Sequence, residues 1–148
     1  MTDEILDMTG LIGEYAHGNE PSHNMAFLFT YLDQPEKTQH YVRRILTELY
    51  SATPEGISGN EDCGQMSAWY VMAALGIYPA CPASGEFVLT KPLFKKATIQ
   101  LGNGKTLTVT ADKPEDEYIK NVSFNGKALD KMFITYEDLL KGGELKFQ

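Results

Sequence analysis

The sequence predicts an α+β fold, with helices in residues 1–84 and short antiparallel β-strands in residues 85–148. Apolar residues recur at helical spacing before residue 85 and alternate in short runs after it. Asparagine–glycine pairs, which favour tight hairpin turns, lie between the later runs. With 148 residues, of which 43% are hydrophobic, the chain is long enough to bury a core.

Three helices are predicted in the first part of the chain. Pro21 suits the first turn of one helix, and Asp33 opens the next with a capping-box spacing to Glu36. The third is preceded by Asp62, which stands three residues before Gln65. The predicted spans are 21–32, 33–50 and 63–75, and residues 1–5 resemble a further helix cap and first turn.

The distribution of charged residues along these helices predicts which helices are buried and which face water. Residues 21–32 and 63–75 contain no Asp, Glu, Lys or Arg, whereas residues 33–50 carry an apolar stripe opposite a charged face. A helix without a charged face is surrounded by protein, and an amphipathic helix faces water on one side. This inner–outer–inner order is expected of a double-layered helical toroid. Three or four helices cannot enclose two uncharged ones, so we expect an incomplete toroid with exposed apolar surface that self-associates, and a homo-oligomer is a candidate state.

The second part of the chain predicts short strands that form part of a sandwich-like sheet completed elsewhere. Asn103-Gly104 predicts a hairpin turn between two strands, and Asn125-Gly126 predicts another turn. The predicted strands are residues 87–89, 97–101, 106–110, 118–124, 132–136 and 144–147.

Composition excludes some classes of partner. The formal charge is −7 and there is no basic stripe, which argues against a nucleic-acid partner. No apolar run is long enough to span a bilayer and no signal peptide is recognisable, so no membrane partner is expected. The spacing of Cys63 and Cys81 favours two reduced, partly buried thiols over a disulfide and leaves the redox compartment open. His40 lies on the solvated helix and is expected at the surface.

Two polar clusters could carry chemistry: residues 17–23, the first motif, and residues 59–65, the second motif. Each lies where a loop enters an uncharged helix. Short-looped neighbouring helices are antiparallel, so the first and third helices place their N-termini at the same end, about 8–10 Å apart. Glu20 and Asp62 should therefore reach one bound ion or sugar ring, and helix N-termini should keep both carboxylates ionised.

Helix capping is the alternative interpretation of the same residues. Asn19 and Asp62 are each suited to be an ordinary N-cap, which taken singly is the more common role. Two polar clusters at one end of otherwise apolar helices favour a site instead. Trp69 and Tyr70 are expected to belong to the core.

The two motifs also resemble a known family. Gly-Asn-Glu-Pro-Ser-His at residues 18–23, followed by Gly-Asn-Glu-Asp-Cys-Gly-Gln-Met-Ser-Ala-Trp-Tyr at residues 59–70, resembles glycoside hydrolase family 92. Residues 74–79 and 92–94 continue the similarity, which extends over essentially the whole chain. Members of that family are calcium-dependent, exo-acting α-mannosidases that invert the anomeric centre, many with α-1,2 specificity. The resemblance implies the C-terminal part of a larger enzyme, in which an (α/α)6 toroid is followed by strands.

The resemblance also implies roles for individual residues. Asp62 would be the catalytic general base, and the general acid would lie upstream of this chain. Some family members have Asp at position 60, so Asn60 argues against a shared base role there. The implied metal ligands are Asn19, Glu20 and Asp62, and the implied substrate-binding residues are His17, Glu20, His23 and Asn60.

The cofactor and partners follow from the same resemblance. It implies Ca²⁺ as the cofactor, a mannose-containing glycan as the substrate and the remainder of the parent chain as a structural partner. It also implies a periplasmic or secreted location for the parent. Two other functions remain open on the residues alone, a non-catalytic carbohydrate-binding module and a structural fragment, and glycan binding with and without calcium separates the three.

Overall fold

The structure is a computed structural model that describes residues 8–148, so the cap predicted at residues 1–5 lies outside the described residues. All but one of the α-helices precede the main sheet in the chain, and a smaller sheet lies between those helices and the main sheet. The α-helices are α1 (Leu28–Tyr31), α2 (Pro35–Glu48), α3 (Gln65–Ala74) and α4 (Tyr136–Leu139), and 3-10 helices span Glu20–Ser22, Met25–Phe27 and Pro82–Ser84. The strands are β1 (Leu11–Ile12), β2 (Tyr15–Ala16), β3 (Ile77–Tyr78), β4 (Glu86–Leu89), β5 (Lys96–Gln100), β6 (Thr106–Ala111), β7 (Val122–Phe124), β8 (Lys127–Ala128), β9 (Phe133–Thr135) and β10 (Gly143–Phe147).

The prediction of one continuous helix over residues 21–32 is wrong. Two 3-10 turns precede α1, because other groups use the backbone bonds that a continuous helix would need. The Trp69 indole N–H donates to the carbonyl of His23 over 2.9 Å. The N–H of Phe27, which would bond that carbonyl in an α-helix, instead donates to Asn24.

Helix α2 confirms the predicted amphipathic helix. Val42, Ile45 and Leu46 are buried on one side, and Arg44 forms an exposed ion pair with Glu48 on the other. The predicted capping box at its start is wrong. The N-cap is the following residue, Gln34, which makes no side-chain capping bond.

The two uncharged segments bury only one side in this chain. On α3, Met66, Trp69 and Ala73 are buried, whereas Val71 is 54% exposed. Residues 21–32 likewise leave several large apolar side chains in contact with solvent. These are Met25, Leu28, Tyr31 and Leu32.

We expect this exposed apolar surface to make residues 1–148 self-associate. Monomeric proteins rarely tolerate large contiguous apolar patches, and burial of such a patch removes apolar area from water. Sedimentation velocity over a concentration series is expected to show dimers or larger species. Replacing Leu28 and Leu32 with glutamate should shift the distribution towards monomer. A clean monomer of the unmodified chain at high concentration would contradict the prediction.

The main sheet has five strands in the order β5-β6-β10-β7-β8. Both asparagine–glycine turns are confirmed: residues 101–105 connect β5 to β6, and Asn125 and Gly126, with φ of 49° and 80°, connect β7 to β8. The prediction of purely antiparallel pairing is wrong, because β10 runs parallel to β6. Turn residues identify only strands that are joined by hairpins, and β6 and β10 are distant in sequence.

The small sheet β3-β4-β9 lies between two groups of buried apolar residues. One group surrounds Trp69 between the helices and includes Val88 of β4. The other includes Leu89 of the same strand and the buried residues of the five-stranded sheet. The buried Gln39 side chain of α2 also bonds the backbone N–H of Ile119, over 2.8 Å. Contacts therefore cross residue 85, and the domain boundary, the toroid and the sandwich stay predictions.

Other surface features are partly as expected. Cys63 and Cys81 are free thiols, but both are exposed and not partly buried. His40 is exposed, as predicted. Within residues 8–148, no helix combines the length and the hydropathy that a bilayer span needs.

Candidate active site

The two motifs are in backbone contact, and glycines permit this contact. Gly59 lies against Gly18, and a Cβ at Gly59 would stand 2.9 Å from the Gly18 carbonyl oxygen. A Cβ at Gly10 would similarly stand 2.6 Å from Ser58 Oγ. The hairpin of β1 and β2 leads into the first motif through a bond from the His17 N–H to the Gly10 carbonyl. The two loops therefore pack against each other at the start of α3 at a distance that leaves no room for a side chain at Gly59 or Gly10.

Hydrogen bonds fix the tautomer of each buried histidine of the first motif. Tyr50 donates to the Met66 carbonyl and must accept from Nε2 of His17, at 2.6 Å. Nδ1 of His17 then accepts from the Tyr15 hydroxyl at 2.8 Å. Similarly, Nε2 of His23 donates to the carbonyl of His17 over 3.0 Å. His17 is therefore a neutral donor at Nε2, and His23 also donates from Nε2 in this arrangement.

Gln65 of the second motif completes this network. Its amide Nε2 donates to Nδ1 of His23 over 3.2 Å. The Trp69 ring packs edge-on against His17 at a centroid distance of 4.5 Å, and Trp69 is 1% exposed, which confirms its place in the core. The network thus connects the first motif to α3.

The predicted substrate contacts of His17 and His23 do not fit their positions. They are 0% and 2% exposed, and the partners just described occupy both ring nitrogens of each residue. A sugar hydroxyl would have to displace one of those partners to bind. Burial, followed by the charge of His23, lowers the pKa of His17 to about 3. His17 and His23 are therefore buried residues whose hydrogen bonds support the loop of the first motif.

Glu20 and Asp62 are brought together, as the parallel helix starts predicted. Both side chains are exposed, and the two carboxyl groups interact with each other. The pKa of Glu20 is lowered by its own backbone N–H and then by Asp62. The pKa of Asp62 is raised by its bond to Glu20, and further by desolvation and by the negative charges of Glu20 and Glu61. The like charge of Glu20 thus makes the Asp62 carboxylate more basic than an isolated one, against the effect expected of the helix start.

The side chains of Asn19 and Asp62 do not act as helix caps. Asn19 holds the N-cap position of the Glu20–Ser22 turn but makes no side-chain capping bond. The N-cap of α3 is Gly64, and Asp62 contributes only its backbone carbonyl, which accepts from the N–H of Gln65. Glu61, which no sequence pattern marked as a cap, caps the helix instead by accepting from the backbone N–H of Ser67 over 2.9 Å.

The turn before α3 has an unfavourable backbone conformation. Asp62 and Cys63 have φ of 50° and 58°, and Gly64 follows at 96°. The left-handed region is uncommon for residues other than glycine and is often found at functional sites. The direction of the exposed Asp62 side chain thus depends on a backbone conformation that the surrounding contacts must maintain.

The remaining predicted residues flank this carboxyl pair in the sequence. Asn19 is half-buried directly before Glu20, and Asn60 is exposed two residues before Asp62. Among residues 8–148, no group of three or more His, Cys, Asp and Glu side chains is arranged to hold a metal. Two carboxylates with neighbouring amide oxygens are nevertheless the donor type that Ca²⁺ prefers. The residues present therefore fit calcium by chemistry, although they supply only part of the six to eight ligands that this ion takes.

Comparisons with known proteins identify the family. The model of the glycosyl hydrolase family 92 catalytic domain matches residues 2–148. A family GH92 α-mannosidase of Bacteroides thetaiotaomicron, solved in complex with mannoimidazole, is 41% identical, with a TM-score of 0.92 over 99% of this chain and 20% of that chain. A family GH92 inverting mannosidase of the same species is 40% identical, with a TM-score of 0.83 over 92% of this chain and 19% of that one.

A curated relative is similar at lower identity. It is described as an uncharacterized secreted glycosidase of Arthroderma benhamiae and is 31% identical over 87% of this chain and 17% of its own length. The chain thus spans about one fifth of the length of the solved relatives. Because the family model matches almost every residue and the mixed helix-and-sheet fold superimposes on those relatives, the chain belongs to glycosyl hydrolase family 92.

Proposed function

We propose that this chain is the C-terminal part of an inverting, exo-acting α-mannosidase that hydrolyses α-1,2-linked mannosides of glycans, with Asp62 as its general base. The observation that carries the proposal is the exposed Glu20–Asp62 carboxyl pair at the junction of the two motifs. The similarity to an inverting mannosidase and to a mannoimidazole-bound α-mannosidase supports it. The α-1,2 preference follows from the family resemblance alone.

The chemistry of inversion defines what Asp62 must do. One carboxylic acid protonates the leaving oxygen while a carboxylate, about 6.5–9.5 Å away, activates water on the opposite face of the sugar. A carboxylate of raised basicity is better suited to accept the proton of water than an ordinary one. Asp62 fills this role in the proposal, and the acid is supplied by a part of the enzyme upstream of residue 1.

The neighbouring residues bind and orient the sugar in this proposal. Glu20, Asn19 and Asn60 present oxygen atoms that suit both sugar hydroxyls and a hard cation. Asn19, Glu20 and Asp62 would hold Ca²⁺, which when bound supplies positive charge that polarises and orients sugar hydroxyls. His17 and His23 act indirectly, because their hydrogen bonds hold the first motif against α3.

The location of the enzyme is part of the proposal. The Arthroderma benhamiae relative is described as secreted. We infer a secreted or periplasmic enzyme, where mannose-containing glycans outside the cell are accessible. Detection of the full-length enzyme in culture supernatant or periplasmic extract, with a cytoplasmic marker as the control, tests this location.

The full-length enzyme is expected to release mannose from α-1,2-mannobiose with inversion. Proton NMR at early times should show β-mannose before mutarotation produces the α-anomer. Detection of α-mannose as the first-formed anomer would contradict the inverting mechanism. Calcium-dependent sugar binding without hydrolysis would instead support a carbohydrate-binding module.

Residues 1–148 alone are expected to release no mannose from the same substrate. The proposed acid lies outside them, and a positioned acid or base is typically worth about 10²–10⁴-fold in rate. The assay compares equal concentrations of the isolated chain and the full-length enzyme in millimolar calcium. Turnover by the isolated chain would show that the acid lies within these residues.

A further inference from the structure

The Glu61 carboxylate accepts two hydrogen bonds that connect the two ends of the turn carrying Asp62. Its Oε1 accepts from the backbone N–H of Ser67 over 2.9 Å, and its Oε2 accepts from the Ser67 hydroxyl, also over 2.9 Å. Its own carbonyl accepts from the N–H of Met66 over 3.3 Å. Side chain and backbone of Glu61 are thus both bonded to the first turn of α3.

The turn between Glu61 and α3 contains the non-glycine residues of the second motif that have left-handed backbone conformations. Asp62 and Cys63 have φ of 50° and 58° and lie between Glu61 and the helix. Asp tolerates the left-handed region better than Cys does, but both residues adopt it at a cost that surrounding contacts must offset. The Glu61–Ser67 bonds fix the two ends of this turn relative to each other, and so fix the direction in which the Asp62 side chain leaves the chain.

We propose that Glu61 is a positioning residue for Asp62, which it holds beside Glu20 by closing the 61–67 turn onto Ser67. The inference rests on the proposed function, in which Asp62 is the base. A well-oriented reacting group contributes much of an enzyme's rate, and a displacement of about 1 Å can cost on the order of 10²-fold. If Glu61 were only a helix cap, its loss would lower stability and leave turnover unchanged.

The test uses the full-length enzyme with Glu61→Ala, Glu61→Gln and Ser67→Ala. Glu61→Ala removes both bonds and is expected to lower kcat by about 10–100-fold with KM little changed. Ser67→Ala keeps the bond from the backbone N–H and should lower kcat less, by about 3–10-fold. Glu61→Gln can accept from the backbone N–H and donate to the hydroxyl, so it should restore kcat to within about threefold of wild type. Glu55→Ala, an exposed glutamate in the preceding loop, is the matched control and should leave kcat unchanged.

Two results would overturn the inference. One is a Glu61→Ala enzyme that melts earlier but turns over at the wild-type rate. The other is a rise in KM at constant kcat, which would indicate a substrate contact. If Glu61→Ala does not fold, Ser67→Ala decides, and an unchanged kcat there is equally contradictory.

A second readout separates this inference from the proposed function. Crystal structures of the Glu61→Ala and Ser67→Ala enzymes should show residue 62 displaced from its left-handed conformation, whether or not the enzyme has the proposed activity. An inactive wild-type enzyme would contradict the proposed function. An Asp62 that keeps its conformation in both variants would contradict the positioning role.

Discussion

Replacement of Asp62 with asparagine in the full-length enzyme is expected to lower kcat by about 10²–10⁴-fold, the usual contribution of a general base. Asparagine has the same shape but cannot accept the proton of the attacking water. It also tolerates the left-handed backbone better than most residues, so the φ of 50° at this position should be kept. The loss of rate should therefore appear without a large change in melting temperature.

A calcium titration separates the two roles proposed for Asp62. A rate that stays low at every calcium concentration indicates the base, whereas recovery at high calcium indicates a metal ligand that asparagine replaces weakly. Asp130→Asn, a change at an exposed aspartate outside both motifs, is the matched control and should turn over normally. A near-wild-type rate of Asp62→Asn at ordinary calcium would contradict both roles.

Acidification is expected to destabilise the fold through His17. Burial lowers the pKa of this residue to about 3 from 6.5, so the folded state stays unprotonated at mildly acidic pH. The unfolded chain binds a proton as the pH falls through about 6.5, which favours unfolding by roughly 1.4 kcal/mol per pH unit until the folded pKa is reached. Between pH 7.5 and 4.5 this amounts to about 3 kcal/mol.

Urea unfolding of wild type and His17→Gln at several pH values measures this contribution. The variant should be less stable at pH 7.5, because it loses bonds to Tyr15 and Tyr50, but its stability should depend less steeply on pH. His40→Gln, at an exposed histidine, should keep the wild-type pH dependence. Equal slopes for wild type and His17→Gln between pH 6.5 and 4.5 would contradict the prediction.

Local patterns in the sequence predicted the elements that depend on local chemistry. The apolar stripe of α2 and the asparagine–glycine turns at residues 103–104 and 125–126 depend on residues close together in the chain. The proximity of the Glu20 and Asp62 carboxyl groups also followed from the sequence, because helix direction and loop length place both motifs at one end of the helices. The functional roles given to these residues come from the family resemblance and stay predictions.

Other predictions failed where distant groups compete with local preferences. Asp33 was expected to cap α2, but the helix begins one residue later without a side-chain cap. Residues 21–32 were expected to form one helix, but Trp69, far along the chain, takes a carbonyl that the helix would need. No pattern within a short window contains such partners.

The sequence by itself thus determined the helix-to-strand order, the two motifs and the family to which they point. Only the tertiary structure decided that His17 and His23 are buried supports, that β10 runs parallel to β6, and that Glu61 closes the turn before α3. The physical reason is the range of the interactions. Propensity, periodicity and turn chemistry act over a few residues, whereas burial, like-charge proximity and hydrogen-bond competition depend on which distant residues the fold brings together.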